Sequence, residues 1–242
     1  MANSIPAVLD RRLWFPDPRQ ASDSDGISGL VALGGDLRPE RLLLAYRSGL
    51  FPWTVDPITW WSPDPRAIFE LDRIHVPRSL AKVIRRGDFE VTVNRAFREV
   101  IEGCARTRRS GNWISPEFIE AYTRLHQLGH AHSVECWSRS RGSKLAGGIY
   151  GVAVGGLFAG ESMFHRVSDA SKVALVALAT RLRERGFTLF DIQMVTDTTE
   201  RFGAVEIPRE DYLRRLAAAV KLKREFSTGG ADTISTTKGG DR

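Results

Sequence analysis

Polar side chains interrupt two apolar stretches of the sequence in positions where catalytic groups could lie. Asp191 and Gln193 are two residues apart in the run FTLFDIQMV, so a strand would project both from one face. Glu161 has a similar setting in LFAGESMF. A carboxylate inside a strand is costly unless it is paired or functional, which makes these three residues candidate catalytic groups. The alternative is that the two acids cap loops or pair with arginines such as Arg166.

These side chains need a mixed α/β framework to hold them, and the hydrophobic pattern predicts one. Strands are predicted at 67–71, 89–93, 131–138 and 187–195, and a β-hairpin with a Gly-Gly turn at 144–164. Helices are predicted at 77–86, 116–128 and 170–185, with a further one ending at Cys104 that Asn94 is expected to cap. A short strand and a helix are predicted within 207–219.

The first 60 residues differ in composition from the rest, being rich in Pro, Gly and Trp. One helix is predicted there, at 39–48, while the aromatic residues and prolines of 51–53 and 60–66 predict irregular structure. The last stretch, 227–242, has almost no apolar residues and is predicted to be disordered. The sequence therefore predicts an α+β protein with a small N-terminal domain at 1–65, a mixed α/β domain at 66–226 and a tail.

Composition excludes several classes of protein. The chain has 242 residues, 42% of them apolar and 26% charged, which are globular values. Two cysteines cannot build a disulfide framework or a four-thiolate zinc site. No secretory signal and no membrane-spanning stretch is visible, so we expect a cytoplasmic protein without membrane association. His126, His130 and His132 have metal-like spacing but straddle a predicted helix end at Gly129, so no metal site is predicted.

Positive charge is concentrated in one segment. The chain carries a net charge of +6, and residues 73–109 contain ten basic against four acidic side chains, which gives the same value for this segment alone. Arg78, Lys82 and Arg86 are spaced i, i+4, i+8 on one predicted helix, so they form a single stripe. The stripe is either a solvated basic face or a contact surface for a polyanion.

A series of motifs resembles the signatures of leucyl/phenylalanyl-tRNA–protein transferases, in the order in which that family has them. They are GLVALGGDL at 29–37, AYRSGLFPW at 45–53, WWSPDPR at 60–66, WI at 113–114, LHQLGHAHSVE at 125–135, GGIYG at 147–151, GESMF at 160–164, ASK at 170–172 and DIQ at 191–193. The resemblance covers about residues 12–220. It implies a GNAT-like domain behind a small N-terminal domain. It also implies transfer of Leu or Phe from aminoacyl-tRNA to an N-terminal Arg or Lys, which marks proteins for degradation under the N-end rule.

The resemblance also implies roles for individual residues. Gln193 would accept a hydrogen bond from the attacking amine while Asp191 polarises or orients its amide, and Glu161 would help to hold the substrate. A pocket for the Leu or Phe side chain would be lined by four apolar residues that could equally be ordinary core: Ile149, Met163, Leu178 and Phe190. Trp53 and Trp113 would stack on the terminal adenosine.

The same resemblance implies the partners of the protein. We expect Leu-tRNA and Phe-tRNA as donors, acceptor proteins with N-terminal Arg or Lys, and a monomer. The activated ester drives its own aminolysis, so no cofactor is expected. The basic stripe Arg78, Lys82 and Arg86 would meet phosphates of the tRNA acceptor stem.

Two other functions use the same features, and one loop departs from the family pattern. An acetyl-CoA-dependent acetyltransferase would need a glycine-containing pyrophosphate loop, whereas VSDASK at 167–172 has no glycine. A non-catalytic RNA-binding module would use the basic segment and leave Asp191, Gln193 and Glu161 dispensable.

The departing loop contains Thr198-Thr199 and RFG at 201–203, where Arg201 adds positive charge after the candidate catalytic strand.

Overall fold

The N-terminal region forms a sheet of its own. A computed structural model of the protein describes residues 6–24, 27–107, 113–227 and 232–233. The first sheet contains β1 (Ala7–Leu9), β2 (Ser22–Ser24), β3 (Ile27–Gly34), β4 (Phe51–Val55) and β5 (Ile58–Trp61). Its order is β1-β3-β5-β4, with β2 also paired to β3, and helix α1 (Pro39–Arg47) connects β3 to β4. The prediction of irregular structure is wrong at 51–53 and 60–61, because β4 and β5 pair despite Pro52, and at Arg66, which begins a strand of the second sheet. It is confirmed at 62–65, which form neither helix nor strand.

The second sheet has eight strands and is the framework of the larger domain. They are β6 (Arg66–Phe69), β7 (Phe89–Val93), β8 (Ala131–Ser138), β9 (Lys144–Val154), β10 (Leu157–His165), β11 (Leu189–Gln193), β12 (Ala204–Ile207) and β13 (Asp232–Thr233). Their order is β12-β6-β11-β10-β9-β8-β7-β13. The helices are α2 (Arg78–Arg86), α3 (Phe97–Ala105), α4 (Pro116–Gln127), α5 (Ala170–Glu184), α6 (Asp197–Glu200) and α7 (Arg209–Ala219). A mixed α/β domain behind a small N-terminal domain confirms the predicted fold class.

One parallel strand pair lies at the centre of this sheet. Strands β10 and β11 pair in parallel over only three residues each, ending at Ala159 and Asp191, whereas the neighbouring pairs are antiparallel. β10 then continues along β9 for several more residues. The predicted hairpin is confirmed, with Gly155 at φ +60° in its turn. The two central strands therefore part just where the candidate catalytic residues follow.

Two apolar cores lie against this sheet. One contains residues of the first sheet together with residues of α1, α3, α4 and α7, and it includes Tyr46, Tyr122 and Tyr150. The other lies beneath α5 and includes Leu178 and Phe190. In the described ranges, no helix is long and apolar enough to cross a membrane.

Two local predictions differ from the structure. Asn94 does not cap α3: it has φ +59°, its side chain contacts His132 and accepts from the Ser133 amide, and the helix begins only at Phe97. Most of the predicted tail lies outside the described residues. Within it, Asp232 and Thr233 pair with Val93 and Thr92 at the sheet edge, so the prediction of disorder is wrong at those two residues.

Candidate active site

Asp191 is held by a buried cation. It lies on β11, fully buried, and receives a bidentate ion pair from Arg66 at the start of β6, with distances of 2.9 Å from Nε to Oδ1 and 2.6 Å from Nη2 to Oδ2. The hydroxyl of Tyr212 on α7 donates to Oδ2 at 2.8 Å. Both side chains of the pair are 1% exposed, so the charges compensate each other away from water.

Arg66 also joins the two parts of the molecule. Its Nη1 donates to the carbonyl of Gly49, in the turn that follows α1, at 3.2 Å. Its guanidinium lies over two aromatic rings, 5.0 Å from the centroid of Phe51 and 4.5 Å from that of Tyr212. The ion pair therefore fixes the N-terminal domain, β11 and α7 relative to one another.

Gln193 ends β11 in an unusual backbone conformation. Its φ is +59°, and the pairing of β11 with β6 shifts register between Asp191 and Gln193. The Gln193 amide donates to Oδ1 of Asp191 at 2.9 Å, and the Met194 amide donates back to the Ile192 carbonyl at 2.6 Å. A left-handed glutamine costs free energy and persists only when its surroundings fix it. Here Asp191 does so through the backbone.

Glu161 lies on β10, and no cation among the described residues bonds to it directly. The hydroxyl of Tyr46 on α1 donates to its Oε1 at 2.8 Å, and that of Tyr122 on α4 donates to its Oε2 at 3.2 Å. The two hydroxyls contact each other at 2.5 Å, and Gln193 donates from Nε2 to Oε1 at 3.2 Å. Burial, the largest influence, raises the pKa of Glu161 to about 7 although both tyrosine hydrogen bonds lower it.

The structure brings the three predicted polar residues together but connects them differently from the prediction. Gln193 makes its side-chain hydrogen bond to Glu161, while Asp191 accepts a hydrogen bond from the Gln193 backbone amide. The expected influence of Asp191 on the side-chain amide therefore stays a prediction, with the backbone as its route. Asp191 does pair with an arginine, as the alternative interpretation had it, but this arginine is Arg66 and not Arg166. Sequence reasoning missed four residues of the site, Tyr46, Arg66, Tyr122 and Tyr212. A usable signal did exist, because a buried carboxylate needs a partner and Arg66 directly precedes a predicted strand.

Each of the two predicted adenosine-stacking residues is linked to the polar cluster through an aromatic neighbour. Trp53 is half-buried, with its ring centroid 6.2 Å from that of Phe51, over which Arg66 lies. Trp113 is also half-buried, and its ring is 5.3 Å from Phe118, which is 6.1 Å from Tyr122. Their role in stacking on the adenosine stays a prediction.

The predicted pocket residues lie on the other side of the sheet, in the core beneath α5. Ile149 and Met163 are cross-strand neighbours on β9 and β10. Leu178 and Phe190 are fully buried, as ordinary core residues are, and Phe190 packs on Phe69 with ring centroids 5.3 Å apart. Met163 is half-buried and is the most accessible of the four. Their role in binding stays a prediction.

The basic stripe lies on the exposed face of α2, as its spacing predicts. Arg78 and Lys82 are exposed, and neither forms an ion pair with the described part of the chain. Arg86 is exposed too but pairs with Asp88 at 2.6 Å. Two of the three cations are therefore free to meet phosphate, and the third would first have to leave its carboxylate.

The histidines and the departing loop have structural contacts. His126 stacks on Phe97 with ring centroids 4.4 Å apart, and burial lowers the pKa of His132 to about 3. No group of three metal-ligating side chains occurs among the described residues. In the loop, Thr199 is hydrogen-bonded to Thr196 at the start of α6, and Phe202 is buried in the core, while Arg201 is exposed.

Comparison with known proteins shows the family of the chain. A family model described as "Leucyl/phenylalanyl-tRNA protein transferase" matches residues 68–217, and a model of that family's N-terminal domain matches 35–64. The chain belongs to the leucyl/phenylalanyl-tRNA–protein transferase family. The larger match includes Tyr122, Glu161, Asp191, Gln193 and Tyr212, and the smaller one includes Tyr46.

Relatives of the same name cover most of the chain. A leucyl/phenylalanyl-tRNA–protein transferase of Nitratidesulfovibrio vulgaris is 54% identical over 212 residues, covering 86% of this chain and 88% of the relative. Proteins of the same name from Magnetococcus marinus and Shigella dysenteriae are each 52% identical, over 211 and 204 residues. They cover 85% and 84% of this chain and 88% and 85% of their own length. The resemblance seen in the sequence is confirmed.

Proposed function

We propose that Gln193, Glu161 and Asp191 form the site at which this chain transfers Leu or Phe from aminoacyl-tRNA to an N-terminal Arg or Lys of an acceptor protein. The transfer itself is the reaction of the family to which the chain belongs. One observation supports the location most: Gln193 is held in a left-handed conformation beside a carboxylate, where the two central strands part.

The reaction is aminolysis of an ester, and the residues match its needs. The enzyme must place the amine at the carbonyl, accept a proton and exclude water. Because Gln193 directs its Nε2 at Glu161, its Oε1 is left to accept a hydrogen bond from the incoming amine. Arg66 and Asp191 hold the backbone of this glutamine, so the amide is positioned before substrate arrives.

The aminoacyl-tRNA donor would contact two further groups of residues, one through its terminal adenosine and one through its aminoacyl side chain. Trp53 and Trp113 would stack on the terminal adenosine, at about 1–3 kcal/mol for each stacked base. Met163, with Ile149, Leu178 and Phe190, would receive the Leu or Phe side chain, since methionine adapts to branched and aromatic groups. We further propose a cytoplasmic monomer whose products are marked for N-end rule degradation, and the domain boundaries 1–65 and 66–226.

The decisive experiment uses purified protein, radiolabelled Leu-tRNA and peptides that begin with Arg, Lys, Met or Glu. We expect transfer to the Arg and Lys peptides and none to an acetylated Arg peptide, because the attacking amine must be free and neutral. Gln193→Ala should lose transfer and keep aminoacyl-tRNA binding, which a non-catalytic RNA-binding module would not predict. Absence of any labelled peptide with the wild-type protein would overturn the proposal, and preference for Glu over Arg would overturn the acceptor assignment.

The proposed tRNA surface has its own test. Replacing Arg78 and Lys82 together with Ala should reduce the slope of log affinity for Leu-tRNA against log salt by about one to two, because each phosphate contact releases about one counterion. Arg214→Ala, which removes an exposed cation on α7 instead, is the matched control. An unchanged slope in the double variant would place the tRNA on another surface.

A further inference from the structure

Four oxygen atoms of three side chains form a closed ring inside the site. Tyr46 and Tyr122 contact each other, Tyr46 contacts Oε1 of Glu161 and Tyr122 contacts Oε2. The three groups come from α1, α4 and β10, so the ring closes only when the N-terminal domain, the α4 layer and the sheet are assembled. Each oxygen–oxygen contact of this ring needs one proton to be a hydrogen bond.

The number of protons depends on the state of Glu161. With Glu161 ionised, two hydroxyl protons must serve three oxygen–oxygen contacts, and one contact has no hydrogen between its atoms. With Glu161 protonated, its own O–H supplies the third, and each contact becomes a hydrogen bond. The ring is therefore one proton short in the ionised state and is complete after it takes one up.

The surroundings of Glu161 favour uptake as well. Burial opposes the carboxylate charge, and the charge of Asp191 opposes it further, while Tyr46, Tyr122 and the more distant Arg66 act in the other direction. The remaining polar groups that face it are Gln193 on β11 and Tyr150 on β9. The balance is a carboxyl group that changes protonation near pH 7.

We propose that Glu161 is the proton acceptor of the transfer reaction and that Gln193 conducts the proton to it. This inference rests on the proposed function of the site. As the amine attacks, its nitrogen forms a bond to the ester carbonyl carbon and gives a proton to Oε1 of Gln193. The Gln193 Nε2–H passes its own proton to Glu161 in the same event, which leaves the amide as its imidic acid tautomer.

Collapse of the intermediate reverses the shuttle. The bond from the carbonyl carbon to the ribose oxygen breaks, and that oxygen leaves with its electron pair. Glu161 returns its proton through Gln193 to the ribose oxygen, so the free hydroxyl, the amide tautomer and the ionised Glu161 are restored. One N–C bond has formed, one C–O bond has broken and no other reactant is consumed.

Asp191 has a different task in this scheme. Its Oδ2 already accepts from Arg66 and Tyr212, and its Oδ1 accepts from Arg66 and the Gln193 amide. Protonating it would break a buried ion pair, which is costly. Asp191 is therefore a positioning residue that acts through the backbone of Gln193.

The first test is the dependence of rate on pH. The single-turnover rate of Leu transfer to an Arg peptide, at subsaturating peptide, is measured from pH 5.5 to 8.5 with ester hydrolysis subtracted. Wild type should show a slope of about two in log rate at the acid end, because the peptide amine, with a pKa of about 7.7–8.0, and Glu161 must both lose a proton. Glu161→Gln should show a slope of about one and a rate lower by about 10²–10⁴.

A second pair of variants tests the ring itself. Tyr122→Phe removes one hydrogen-bond donor to the carboxylate. The part of the pH–rate profile that reports the deprotonation of Glu161 should therefore move up by about one pH unit. The rate should then fall by about tenfold at pH 6 and change little at pH 8.5. Tyr150→Phe is the matched control, because this buried tyrosine also lies beside Tyr122 but its hydroxyl has no hydrogen-bond partner among the described residues.

The outcomes separate the inference from the proposed function. If wild type transfers Leu but Glu161→Gln keeps the slope of two and a rate within tenfold, Glu161 is not the acceptor. If Tyr122→Phe lowers the rate equally at every pH, or Tyr150→Phe shifts the limb as far, the ring has only a structural role and the inference is overturned. If wild type transfers nothing, the proposed function fails and the inference fails with it.

Discussion

Two carboxylates of this protein contact the same residue, Gln193, and are stabilised in opposite ways. Asp191 accepts hydrogen bonds from the guanidinium of Arg66, the hydroxyl of Tyr212 and the backbone amide of Gln193, so its charge is compensated. Glu161 has two phenol hydroxyls and a glutamine amide but no cation in direct contact among the described residues. The first arrangement fixes a charge in place, and the second leaves a charge easy to remove.

This difference indicates that Asp191 and Glu161 have different roles in the site. A buried ion pair is sensitive to loss of one partner, since the other charge is then left uncompensated. A carboxylate surrounded by hydroxyls is instead sensitive to pH. Gln193 touches both groups, Asp191 through its backbone and Glu161 through its side chain. Gln193 is thus fixed in place by the ion-paired Asp191, and its side chain is hydrogen-bonded to Glu161, which titrates.

The largest expected effect is on the rigid group. Arg66→Met should lower the free energy of unfolding by about 3–5 kcal/mol, because Asp191 would be buried without its cation. Arg98→Met, which removes an exposed cation from the ion pairs with Glu102 and Glu120, is the control and should leave the free energy of unfolding almost unchanged, because solvent screens exposed ion pairs. Urea unfolding of both variants measures this. A loss below about 1 kcal/mol for Arg66→Met would mean that the ion pair does not anchor the site.

How far the sequence predicted the molecule depends on the range of the interactions involved. Strands 89–93 and 131–138 were predicted with the observed bounds, because their apolar pattern is local. Asp191, Gln193 and Glu161 were found because polar residues in apolar strands stand out. Arg66 was missed because it lies 125 residues from Asp191, and no local pattern states that pairing. In β4 and β5, tertiary pairing outweighed the disruptive local signal of proline.

The next effect concerns the group that titrates. Glu161 has a pKa raised from 4.5 to about 7, so it stabilises the fold fully below pH 4.5, and this contribution is lost as pH rises through 7. Glu161→Gln should therefore gain stability relative to wild type between pH 4.5 and pH 8, by up to about 3 kcal/mol. Paired urea titrations at the two pH values give this difference, in which the other titrating groups cancel. A difference that does not change with pH would contradict the raised pKa.

The smallest effect distinguishes two tyrosines that differ in their carboxylate partner. Tyr212→Phe removes a hydroxyl donor to Asp191 and should cost about 1–2 kcal/mol of stability. It should leave the acid limb of the transfer rate where wild type has it, because Asp191 does not take the proton. A shift as large as that of Tyr122→Phe would erase the proposed distinction between the two carboxylates.

The most direct measurement observes the carboxyl groups themselves, without substrate. Infrared difference spectra of the folded protein, recorded across pH 5.5 to 8.5, report the carbonyl band of each protonated carboxyl group as it disappears. The account predicts a band from a buried carboxyl group that titrates near pH 7 in wild type, is absent in Glu161→Gln and moves to higher pH in Tyr122→Phe. Persistence of the same band in Glu161→Gln would show that another group takes the proton and would contradict the account.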